Sequence, residues 1–342
     1  MKYYTILFLI TLTLLSCEAP KTDQNSSEET AVIQGEAQGT TYSIKYTGEN
    51  TVNKSQIDSL LREIDFSLSA WVDESTLTSF NNSDSISVSD SHFLSVFYRS
   101  KEIFEVTDGD FQPMIMPLTS AWGFGPDGGE LKDGLNLDSV RKLVTFEIKT
   151  IPNENSQSVT FLKNENSQLD VNGIAQGYSV DVLGEFLERE GITNYMVEVG
   201  GELRAKGKNE KGEYWRIGVD KPSSTVSNRT LQAILTLKNA SLATSGSYRK
   251  FYEKDGRKYS HTIDPKTGEP VNHNLLSVTV LASSCTSADA FATAFMVKGV
   301  EGTKNFLIQH PELELGVFII YDDDGEVKTY ASQELTGILE EV

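Results

Sequence analysis

The run Ser287-Ala288-Asp289-Ala290-Phe291-Ala292-Thr293 carries a carboxylate and a hydroxyl four positions apart among small residues. On a helix, that spacing puts Asp289 and Thr293 on one face, and the small neighbours admit a second backbone or a ligand. Two such oxygens suit a hard cation such as magnesium, which takes oxygen ligands and keeps part of its water. A tightly packed helix with one capped or paired Asp would read the same way. Upstream, Asp264-Pro265-Lys266-Thr267-Gly268-Glu269-Pro270 is a turn set by Pro and Gly, with His261 beside it on a short predicted strand. Histidine is readily poised for proton transfer near neutral pH, although a lone His also serves as a hydrogen-bonded structural residue. A third segment, Asp170-Val171-Asn172-Gly173, opens a predicted helix. There Asp170 would cap the helix or touch a ligand, and the Gly173 carbonyl could face a cation.

The elements that must position these residues follow from periodicity. Thr40 to Tyr46 alternates as a strand does, and Ile57, Leu60, Leu61, Ile64 and Leu68 fall at helical spacing within 55–68. Further helices are predicted at 93–106, 174–189, 287–297 and 301–308. Strands are predicted at 195–199, 214–219, 231–237, 277–281 and 316–321. Strands and helices come in blocks rather than in strict alternation, which reads as α+β.

Composition narrows the function classes. Thirty Lys and Arg against 49 Asp and Glu give a formal net charge of −19 over 342 residues, which argues against a nucleic-acid partner. At the N-terminus, Met1-Lys2 precede an apolar run from Tyr3 to Leu15. That run is too short for a stable membrane span and is shaped like the core of a signal peptide. It ends Leu14-Leu15-Ser16-Cys17 and resembles a bacterial lipoprotein processing site. The expected organisation is a signal peptide at 1–16, a lipidated Cys17 opening a polar tether over 17–31, and one folded domain at 32–342. Cys285, placed at an apolar strand end, is then the remaining thiol and reads as a buried small residue.

Other segments fall into the same order as a known family. Ser69-Ala70-Trp71-Val72-Asp73-Glu74-Ser75-Thr76-Leu77-Thr78-Ser79-Phe80-Asn81, Gly109-Asp110-Phe111-Gln112-Pro113 and Asp170-Val171-Asn172-Gly173-Ile174-Ala175-Gln176-Gly177-Tyr178-Ser179-Val180-Asp181 are three of them. Glu198-Val199-Gly200-Gly201-Glu202 and Ala243-Thr244-Ser245-Gly246-Ser247-Tyr248 are two more. With the His261 turn and the small-residue helix, they resemble the ApbE family of FAD:protein FMN transferases over roughly residues 32–335.

The resemblance implies a T-fold-related α+β architecture with mixed sheets and packed helices. It implies magnesium held by the Gly173 carbonyl, Asp289 and Thr293, FAD as substrate, and His261 as the catalytic base. The positions it turns toward the nucleotide are Trp71, Asp110, Phe111, Asp170, Gln176 and Thr262. Read on its residue type alone, Trp71 is either a stacking platform or a core aromatic. Gln112, Met114 and Gln176 depart from the family's frequent Asp, Thr and Lys, and Trp71 from its commoner Tyr. The acceptors implied are flavoprotein subunits of membrane redox complexes. The lipoprotein address implies a cell-envelope enzyme anchored on the periplasmic side. An FAD pyrophosphatase and a non-catalytic flavin-binding lipoprotein are the alternative readings.

Overall fold

The computed structural model describes residues 30–126, 128, 136–153, 157–222, 230–246, 251–254 and 257–342. The signal segment, Cys17 and all but the last two tether residues lie outside them, as do Ser247 and Tyr248.

An eight-stranded sheet forms the frame. Its order is β1 (Thr30–Ala37), β2 (Thr40–Thr47), β6 (Asn194–Val199), β7 (Glu202–Lys206), β10 (Ala240–Gly246), β13 (Leu275–Ala282), β14 (Gly316–Asp323) and β15 (Glu326–Ala331). Two three-stranded sheets accompany it: β3 (Ser85–Val88), β5 (Val159–Lys163) and β4 (Ile148–Pro152), then β16 (Leu339–Glu341), β9 (Leu231–Leu237) and β8 (Trp215–Asp220). A hairpin joins β11 (Phe251–Lys254) to β12 (Arg257–Ser260). The ladders run antiparallel. The helices are α1 (Lys54–Leu68), α2 (Thr76–Asn81), α3 (Ser91–Val106), α4 (Met116–Ala121), α5 (Leu137–Arg141), α6 (Ala175–Arg189) and α7 (Cys285–Gln309). The α+β class holds.

Both faces of the central sheet are covered, and β14 shows how. Val317 and Ile319 join the core beneath α7, while Phe318 and Ile320 join the core shared with β8 and β9. A strand buried on both sides needs a continuous apolar run, which Gly316 to Ile320 supplies.

The predicted elements stand within a residue or two of their places. The two helices expected at 287–297 and 301–308 form one element interrupted at Gly299, which adopts φ 68°. His273 Nε2 donates to the Met296 carbonyl there, and Thr303 Oγ1 donates to that of Gly299, so the interruption leaves these carbonyls bonded. Cys285 is the first residue of α7 and fully buried, rather than the end of a strand. β1 begins at Thr30, two residues before the expected domain start.

Candidate active site

The approach of α6 to α7 builds the site. α7 is capped by Ser284, whose side chain accepts from the Ser287 amide. From Cys285 to Ala292 every residue is buried, and all but Phe291 are small or short, which lets a second helix come close. At the crossing, α6 presents Gly177. A Cβ there would lie 2.3 Å from the Cys285 carbonyl oxygen and 2.8 Å from the Asp289 Cβ. One turn earlier, a Cβ on Gly173 would lie 2.9 Å from Thr293 Oγ1. Both glycines are therefore required by close approach, and they bring Gly173, Asp289 and Thr293 together.

Asp289 is 6% exposed and accepts from the Gly177 amide at 3.0 Å through Oδ2. Among the described residues no Lys, Arg or His forms an ion pair with it. Burial pushes its carboxyl up to about 7, while the Gly177 bond pulls the other way. A buried carboxylate without a cationic partner takes up either a proton or a cation. The set offers one such carboxylate, the hydroxyl of the partly exposed Thr293 and the backbone of Gly173. These are hard oxygen donors, and they fit a divalent cation that retains several waters. No group of three or more His, Cys, Asp or Glu converges among the described residues, which separates this set from a zinc-type cluster.

Asp170 does not cap α6. The first helical residue is Ala175, and Ile174 at the cap position makes no side-chain bond. Asp170 Oδ1 instead accepts from the Asn172 amide at 2.9 Å, closing a turn one step upstream of the helix. Its Oδ2 accepts from Thr119 Oγ1 at 3.2 Å, and its own amide donates to the Pro113 carbonyl at 2.7 Å. Burial raises its carboxyl above the ordinary range.

The segment from Pro113 to Gly125 then links this turn to His261. Trp122 Nε1 donates to the Gly268 carbonyl at 2.8 Å, Arg141 Nη1 donates to that of Lys266 at 2.8 Å, and Ile263 packs with Leu118, Trp122 and Val144. His261 follows β12 in a bend rather than lying on a strand, and its ring meets that of Phe124 edge-on at 6.5 Å. Thr262 is partly exposed. Its amide donates to Ser260 Oγ and its carbonyl accepts from the Val271 amide.

Two other expected nucleotide contacts, and the variant position Gln112, take up specific places. Trp71 is 58% exposed, which excludes the core reading. Its loop is stitched by Ser75, which donates to the Ser69 carbonyl and caps α2. At the far end of α2, Asn81 bonds both the amide and the carbonyl of Leu169, so the Trp71 loop is tied to the Asp170 turn. Gln176 lies against the Gly200 turn, where a Cβ on Gly200 would stand 2.9 Å from its Nε2. Gln112 turns back to accept from the Met114 amide.

Asp110 is buried with Oδ1 on Lys266 Nζ at 2.8 Å and Oδ2 on Lys298 Nζ, so its carboxylate anchors the His261 turn. Phe111 is 3% exposed and belongs to the main core. Sequence reasoning gave no role to Trp122, Arg141 or Lys266, because their partners lie 125 to 156 positions away.

This arrangement has relatives. Residues 38–317 match the ApbE family. The chain belongs to the ApbE family. A FAD:protein FMN transferase of Vibrio cholerae is 35% identical over 350 residues, covering 99% of each chain, and one of Escherichia coli K12 is 32% identical over 331 residues, covering 94% of this chain and 93% of that one. Among solved structures, the flavin transferase ApbE from Vibrio cholerae superposes with a TM-score of 0.78 at 34% identity, over 91% of this chain and 99% of that one. The apo flavinyl transferase ApbE of Pseudomonas stutzeri gives 0.80 at 28% identity, over 91% and 97%.

Proposed function

We propose that this protein is a magnesium-dependent FAD:protein FMN transferase. The observation that carries the reading is the convergence of Gly173, Thr293 and the buried carboxylate of Asp289, which forms no ion pair among the described residues, where α6 crosses α7. Family membership supplies the reaction class. Asp289, Thr293 and the Gly173 carbonyl would hold the magnesium, which supplies charge neutralisation for the FAD pyrophosphate.

The chain's own residues then have these tasks. The exposed ring of Trp71 offers a face for the flavin or the adenine. His261 takes the proton from the acceptor's Thr or Ser hydroxyl. That oxygen bonds to the FMN-side phosphorus as the bond from phosphorus to the bridging oxygen breaks. AMP leaves with the bridging oxygen, and FMN stays on the acceptor through a phosphoester. The Trp122, Arg141 and Lys266 ties hold the His261 turn during this exchange, which favours attack from a fixed direction. Cys17 carries lipid in this reading, and a polar tether places the domain on the periplasmic side, facing flavoprotein subunits of membrane redox complexes.

The test is covalent flavin. The protein is incubated with FAD, magnesium and an acceptor domain, and a denaturing gel is read by fluorescence. A band that disappears when the acceptor Thr is replaced by Ala is the expected result. Equal amounts of free FMN and AMP, with no labelled acceptor, would make the protein an FAD pyrophosphatase.

A further inference from the structure

A carboxylate outside the proposed ligand set fixes the register of the two helices that carry it. Asp181 lies on α6 one turn after Gly177. Its Oδ1 accepts from the Cys285 amide at 3.0 Å and from Arg204 Nη1 at 3.0 Å. Its Oδ2 accepts from the Thr286 amide at 2.8 Å and from Thr286 Oγ1 at 2.6 Å. Two of these donors are first-turn amides of α7, which the helix itself leaves unbonded. In return, Asp289 of α7 accepts the Gly177 amide of α6. The helices exchange caps, and each acid lies one turn after the amide that its own helix gives away.

The exchange is held from behind. Arg204, on β7, also bonds Glu188 Oε1 at 3.0 Å, and Glu188 accepts from Lys206 Nζ and Tyr195 Oη at 2.7 Å each. The Asp181 carboxylate is thus oriented from the sheet side before it meets α7. Asp181 is 6% exposed, and all four of its bonds go to protein donors, which leaves it no part in holding a ligand.

We propose that Asp181 is a positioning residue for a divalent cation. It sets the first turn of α7 against α6 so that Asp289 and Thr293 face the Gly173 carbonyl. The inference rests on the metal reading above. Groups that orient metal ligands without touching the metal change affinity by roughly 10–100-fold.

The experiment titrates magnesium into the full chain and reads melting temperature and FAD fluorescence quenching. Asp181→Asn should raise the magnesium midpoint by roughly tenfold to a hundredfold. Thr286→Val removes one donor without altering charge and should move the midpoint in the same direction by less. Glu188→Gln weakens the support behind Arg204 and should move the midpoint in the same direction by less than Asp181→Asn does. Wild-type midpoints in Asp181→Asn and Thr286→Val, whatever their melting temperatures, overturn the proposal. If Asp181→Asn does not fold, Thr286→Val decides alone. A wild-type protein that shows no magnesium response, and behaves as Asp289→Asn does, overturns the metal reading and this inference with it.

Discussion

The amide of Gly177 donates to Asp289 Oδ2 at 3.0 Å, and there is no room for a methyl group between the two residues. In an exposed helix Gly→Ala stabilises by about 0.5–1 kcal/mol, because Gly has more backbone freedom to lose. Here a Cβ would stand 2.3 Å from the Cys285 carbonyl oxygen, which is backbone and cannot swing away. Gly177→Ala should therefore destabilise by about 1–3 kcal/mol, the usual cost of overpacking, and urea unfolding measures it. A stabilised variant would mean that the helices part without cost.

Asp289 ties stability to pH. Burial pushes its carboxyl up to about 7 in the folded state, against an ordinary 3.8. The folded state therefore binds this proton more tightly than the unfolded chain does. That contribution is complete below the ordinary value and is lost as pH rises through about 7. Magnesium requires the ionised form, so its stabilising effect should grow over the same range. Melting curves with chelator and with magnesium, taken at about pH 5.5 and about pH 8, should show the larger metal-induced gain at the higher pH. A gain that is equal at both would remove Asp289 from the metal set.

Asp289→Asn keeps an acceptor for the Gly177 amide but cannot neutralise a cation. The fold should survive, because the bond at 3.0 Å can still form. Turnover should fall by about a hundredfold or more, in line with the several kcal/mol that a bound cation supplies to phosphoryl chemistry. Steady-state rates across a magnesium series test this, and wild-type turnover at low magnesium would contradict it.

The legible part of the molecule was the part written in local spacing. The Asp289–Thr293 interval, the amphipathic pattern of α1 and the continuous apolar run of β14 each report a nearby periodicity, and each landed where expected. What spacing could not tell is which long-range partner claims a polar side chain. Asp110 has the residue type of a ligand contact, yet Lys266 and Lys298, far along the chain, take both its oxygens. Asp170 has the type of a cap, but its side chain closes the turn before the helix. Phe111 carries no mark that separates a stacking ring from a core ring; only its place in the folded core decides. Asp181 did leave a trace, one turn from Gly177 on the same face, but its meaning depends on where α7 lies.

His261 and the turn that holds it give the last prediction. Three ties bind the turn to the rest of the site: Trp122 to the Gly268 carbonyl, Arg141 to the Lys266 carbonyl, and Lys266 to Asp110. None of them is made by His261 itself. If His261 is the general base, His261→Ala should slow single-turnover transfer by about a hundredfold or more and leave FAD affinity within a few-fold of wild type. Trp122→Phe keeps the apolar packing against Ile263 but loses the bond to Gly268. It should lower the rate by a smaller factor, about tenfold if the bond is worth a little over 1 kcal/mol in the transition state. Its FAD affinity should again be kept. FAD titration beside single-turnover kinetics separates the two quantities. Equal losses of affinity and rate in His261→Ala would make the imidazole a binding group. A Trp122→Phe variant that transfers at the wild-type rate would show that the remaining ties alone hold the turn.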